Sequence, residues 1–87
     1  SLRRGAAEAL AAVVHGDRKS CRVTGRRVDE IELPPGSLIG AVVRGDEVLM
    51  AHHDTRVEAN DHVIVFVSDK KNLSRVEKLF QVSAGFL

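Results

Sequence analysis

The 87 residues predict a small α+β domain: a sheet of about four strands around a β-hairpin core, with a helix at each end. Three observations lead there. A two-residue Gly45-Asp46 connection separates two apolar runs, as in a hairpin. Residues 63–67 are an unbroken apolar run. Leu73, Val76, Leu79 and Phe80 recur at helical spacing.

The elements follow in order. Leu2, Ala6, Ala9, Leu10 and Val13 repeat at helical intervals in an alanine-rich stretch, and Gly16 is a natural stop. Residues 1–18 are therefore expected to form a lead-in helix, with the domain proper at 19–87 and the chain a piece of a longer protein. Residues 20–24 read as a short strand, Cys21 and Val23 alternating with arginines, closed by Gly25. Residues 28–33 read as one helical turn or a strand end, before the hard break at Pro34-Pro35-Gly36. Residues 38–43 predict a strand apolar on both faces, and residues 47–51 its hairpin partner. Residues 54–61 are polar and turn-rich, with Asn60 suited to a left-handed backbone. Residues 63–67 predict a central strand buried on both faces, and Ser68 or Asp69 can cap the final helix. A sheet of this kind has more apolar surface than two helices cover, so a second copy is expected on its other face.

Composition narrows the function classes. With Phe66, Phe80 and Phe86 as the only aromatics, the core must be aliphatic, and there is little to stack on bases. Net charge is +1: the first 27 residues carry seven basic groups and two acids, the rest six and ten. The arginines are scattered rather than arrayed along one face, so no nucleic-acid partner is expected. A single cysteine, Cys21, excludes an internal disulfide and a cysteine-based zinc site, and suits a reducing compartment. No apolar run approaches the roughly 20 residues that span a bilayer.

Catalytic chemistry finds no foothold. Cys21 has Arg22 beside it but no sharp nucleophile turn, and reads as a small semi-buried residue. Asp29, Glu30 and Glu32, and Asp46 with Glu47, lie where charge faces water. Adjacent His52 and His53 would point apart on a strand and do not chelate one ion, so no metal site is expected. No two glycines are spaced G-x-G, and the lysine-bearing phosphate loop is missing, so the chain carries no dinucleotide or ATP fingerprint.

Residues 25–36 (GRRVDEIELPPG), 39–49 (IGAVVRGDEVL) and 54–64 (DTRVEANDHVI), with the terminal helix and the Phe86-Leu87 end, carry a pattern. It resembles the C-terminal (TrkA-C) domain of RCK regulators of potassium conductance, and in detail the last such domain of the regulator of bacterial Trk potassium-uptake systems. Two positions depart from it: Asn60 stands where most relatives have glycine, and Ala51 where many have proline. The second weakens transfer of a cyclic di-AMP site from relatives that bind it there.

The resemblance implies a cytoplasmic regulatory and dimerisation domain, peripheral to the inner membrane through a potassium-transporter subunit. It implies NAD(H) or ATP/ADP in N-terminal Rossmann subdomains outside this chain, with no cofactor in the domain itself. The expected dimer surface is the open face of the 38–51 hairpin, with Leu38, Val42, Val48 and Met50. The alternative expectation is a sensor for a nucleotide-like ligand near Arg44, His52 and His53, in another cation transporter or channel. Arg44 suits a phosphate or carboxylate. An enzymatic role ranks last.

Overall fold

The structure, a computed structural model, describes residues 8–81. The first turns of the expected lead-in helix and the Phe86-Leu87 end lie outside those residues. Within them, the chain forms an antiparallel four-stranded sheet and one short C-terminal helix, the α+β class that the apolar patterning predicts.

The strands are β1 (Glu8–Val13), β2 (Ser37–Arg44), β3 (Glu47–Met50) and β4 (His62–Val67), in spatial order β1-β4-β2-β3. The loop from β1 to β2 carries a single 3-10 turn at Val28–Glu30. After β4, a 3-10 turn at Lys70–Asn72 leads into α1 (Leu73–Leu79). Asp69 caps that turn, its carboxylate accepting from the Lys71 amide at 3.0 Å.

The hairpin forms as its turn residues require. Gly45 takes φ 61°, a left-handed value that an L side chain resists, and β2 and β3 pair from Arg44↔Glu47 to Ala41↔Met50. Asn60 likewise takes φ 74°, as the tolerance of asparagine for that region predicts.

Two local expectations are corrected. Residues 8–13 are a strand, not part of a helix: Glu8–Val13 pairs antiparallel with β4 across all six residues. Alanine's helix propensity is a fraction of a kcal/mol per residue. A ladder beside a buried strand outweighs it. Leu10, Ala12 and Val14 also alternate at period two, and Val14 is completely buried. Residues 20–24 form turns and bends around an isolated bridge at Cys21 instead of a strand. Asp17 Oδ1 accepts from the Lys19 and Ser20 amides, both at 3.0 Å, and its carbonyl accepts from the Cys21 amide at 2.9 Å. The alternation is still real, because Cys21 and Val23 are buried and Arg22 is exposed.

One face of the sheet makes the core. Val42, Val63, Val65 and Val67 pack with Ile39, against Val76 and Phe80 of the helical segment and Val14, Val23, Ile31 and Val57 from the loops. This aliphatic core is covered by one helix and the long β1–β2 loop. The expectation that β4 is buried on both faces holds for one face alone: Val63, Val65 and Val67 are buried, Ile64 is half-buried, and Phe66 is 49% exposed.

Candidate functional site

The face of the sheet that no described residue covers is the most distinctive surface of the domain. Cross-strand partners in an antiparallel ladder point to the same side. On this side Ala9 opposes Phe66, and Phe66 opposes Leu38; Ala11 opposes Ile64, which opposes Ala41, which opposes Met50. Val43 opposes Val48 in the hairpin. The result is an apolar field across four strands, bounded at one end by exposed His62, which opposes Val13 and Val43. Leu38, Val48, Met50 and Phe66 are 57%, 64%, 67% and 49% exposed. Single exposed apolar residues are ordinary, but a contiguous field of them marks an interaction surface.

A bulge shapes this field. The β2–β4 register slips between Ile39 and Ala41, so both Ile39 and Val42 face the core. Gly40 sits in the slip, with the Phe66 ring lying across it: a methyl group there would overlap Phe66 Cε2 and sit 3.0 Å from Cδ2. A hollow of about 330 Å³, lined by Ala9, Gly36, Leu38, Phe66 and Val67 with Glu8 and Ser68 at its polar side, opens beside the ring.

Of the expected interface residues, Leu38, Val48 and Met50 lie together on this face. Val42 does not. It is fully buried on the opposite side, because the bulge inverts the parity that strict alternation from Leu38 assigns to it. Phe66, Ala9 and Ala11 belong to the field although the hairpin alone does not contain them. The signal for Phe66 was its alternation with Val65 and Val67; the alanines were hidden by the helical reading.

The expected ligand residues make contacts within the domain. Arg44 Nε donates to Asp61 Oδ1 at 2.9 Å and one guanidinium amino group donates to Oδ2 at 2.8 Å. The same amino group donates to the Arg56 carbonyl at 2.9 Å, and the other lies 3.4 Å from Glu58 Oε2. A ligand anion would have to displace a carboxylate already held by two parallel bonds. Asp61 is 1% exposed and also accepts from the Glu58 amide at 2.8 Å. Burial acts to raise its pKa, but the bonds from Arg44 and Glu58 outweigh it and hold the carboxyl below the ordinary 3.8. Asp61 in turn raises the Arg44 guanidinium further above its usual value, against the effect of burial.

His52 and His53 are exposed in the turn after β3. Their backbone ties that turn: the His52 amide donates to Thr55 Oγ1 at 2.9 Å, and the His53 carbonyl accepts from the Asp29 amide at 2.9 Å. Among the described residues, no three His, Cys, Asp or Glu side chains gather to hold a metal ion. Cys21 is buried, its sulfur 3.8 Å from the Leu79 carbonyl. No helix among those residues is long and apolar enough to cross a membrane.

Comparison with known proteins decides the family. The TrkA-C domain profile matches residues 18–81. The chain belongs to the TrkA-C domain family. It is 59% identical over 86 residues to the Trk system potassium uptake protein TrkA of Halomonas elongata, covering 99% of the chain and 19% of that relative. It is 58% identical over 87 residues to TrkA of Vibrio alginolyticus, and 44% identical over 87 residues to TrkA of Haemophilus influenzae, in each case the whole chain and 19% of the relative. The chain thus spans about a fifth of the length of these relatives. The TrkA-C match begins within the β1–β2 loop, yet β1 completes the sheet, and the similarity to the relatives spans that strand.

Proposed function

We propose that this TrkA-C domain is a regulatory and dimerising module of a protein that controls potassium uptake through a Trk-type transporter. The observation that carries the assembly part is the open sheet face, where Leu38, Val48 and Met50 are more than half exposed and Phe66 is 49% exposed in a single chain. The cross-strand rows of that face carry no Asp, Glu, Lys or Arg, and His62, opposite Val13 and Val43, is their one ionisable member. Covering one exposed Leu or Phe is worth about 1.5–3 kcal/mol, so a second copy placing the same residues against these gains enough to outweigh part of the cost of association. A symmetric pair makes the patch self-complementary.

In this reading the domain does no chemistry. It acts by geometry: a change in how two copies meet biases the subdomains attached to them, and through those the membrane transporter subunit. The relatives' names supply the transport context, and a cytoplasmic site beside the inner membrane follows from that context. NAD(H) or adenine nucleotides, if the system uses them, act on other parts of the protein.

The test is a chimera. The segment replaces its counterpart in a full-length relative, which is expressed in cells that depend on Trk uptake at low external potassium. The wild-type segment restores growth, and Phe66→Glu abolishes it at equal protein level. Unimpaired growth with Phe66→Glu contradicts the proposal.

A further inference from the structure

A second concave surface lies apart from the open face. A cleft of about 490 Å³ runs between α1 and the loop that carries the Val28–Glu30 turn, and no residue of the open face lines it. Arg22 and Arg26 come from the loop wall, Arg75 and Lys78 from the helix, and Glu30 and Glu32 from the remaining side. Among the described residues, none of the four cations has a carboxylate within ion-pair distance.

The geometry prepares some of these groups. Arg26 is anchored by bonds from one amino group to the Cys21 carbonyl at 3.1 Å and the Arg18 carbonyl at 3.4 Å. Arg75 leans on Asn72 Oδ1 at 3.4 Å. Glu30 is turned to its own turn, its Oε1 accepting from the Arg27 amide at 2.8 Å. Four cations against two carboxylates leave two positive charges in excess within one concavity. Such a site concentrates a multivalent anion, and guanidinium forks match phosphate oxygens two at a time.

We infer that this cleft binds a phosphate-bearing group, with the diphosphate class fitting its charge excess. The inference stands independently of the assembly reading. A free diphosphate and an anionic lipid headgroup offer the same chemistry, and the experiment separates them.

Calorimetry of the chain with inorganic pyrophosphate at low ionic strength is run beside flotation with mixed phosphatidylcholine–phosphatidylglycerol vesicles. Saturable pyrophosphate binding at one per chain is expected. The double variant Arg22→Gln/Arg75→Gln weakens it by roughly tenfold or more, as loss of charge-assisted bonds predicts. Lys71→Gln, an exposed cation outside the cleft, leaves it unchanged. Capture by vesicles alone, lost in the double variant, supports the phosphate chemistry and assigns the lipid as its source. Binding of neither probe, binding unaffected by the double variant, or equal loss in Lys71→Gln overturns the inference. Circular dichroism and sedimentation of each variant distinguish loss of this site from loss of fold or of assembly.

Discussion

Arg44 and Asp61, 17 residues apart in sequence, face each other through two parallel hydrogen bonds of 2.9 and 2.8 Å, joining the end of β2 to the start of β4. Asp61 is almost fully buried, whereas the Arg44 side chain is 37% exposed. The pair therefore holds two central strands in register at the rim of the core. Removing the arginine leaves a buried carboxylate with the Glu58 amide as its remaining donor. Arg44→Ala is expected to cost roughly 2–4 kcal/mol, the lower end reflecting solvent at the guanidinium. Urea unfolding monitored by circular dichroism measures it; a loss below about 0.5 kcal/mol would mean the pair is incidental.

The same carboxyl sets a pH dependence. Its folded pKa lies below 3.8, so the unfolded chain takes up a proton at higher pH than the folded one. The stabilisation is complete above about pH 5 and declines as pH falls through the folded value. Asp17, bonded by Ser20 and Lys19, and Glu30, bonded by the Arg27 amide, are lowered in the same direction. The urea midpoint of the wild type should fall with acidification below about pH 4. Asp61→Asn should start lower at neutral pH and fall less steeply. An identical slope in the two proteins would remove Asp61 from the account.

Gly40 and Phe66 should behave as a coupled pair. Gly40→Ala forces the ring off the bulge, and because the ring is half-exposed it has room to move outward. The expected cost is about 1–2 kcal/mol. It should largely vanish in the Phe66→Ala background, giving a double-mutant coupling of more than about 0.5 kcal/mol. Strict additivity would show that the ring does not rest on Gly40 in solution.

The two sides of β2 should respond oppositely to charge. Val42→Glu places a carboxylate in a fully buried site and should unfold the domain, at a cost of several kcal/mol. Leu38→Glu, four residues earlier and 57% exposed, should leave the circular dichroism spectrum and unfolding curve nearly unchanged while weakening self-association. Equal tolerance at both positions would contradict the placement of the bulge.

Most of the fold is written in local pattern. The hairpin at Gly45-Asp46, the left-handed Asn60, the Asp69 cap and the stripe of α1 follow from residue types at short spacing. What escaped is set by partners distant in sequence. The EALAAV segment satisfies helical and strand periods alike, and only the presence of β4 beside it decides between them. Leu38 and Val42 share parity in the sequence, but one residue gained at the Gly40 bulge separates their faces. The role of Arg44 was hidden for the same reason. An arginine at a strand end resembles a ligand group until Asp61, in the loop just before β4, is seen to pair with it. Leu38, Val48 and Met50 were legible as an open face because the hairpin is local; Phe66 joins them through a long-range ladder.

Sedimentation velocity of the isolated domain over a micromolar concentration series, beside Phe66→Glu, bears most directly on the open face. The account predicts a species of twice the chain's mass for the wild type and a folded monomer for the variant. A wild-type chain that stays monomeric throughout the series, or a Phe66→Glu protein that pairs as tightly as the wild type, would contradict it.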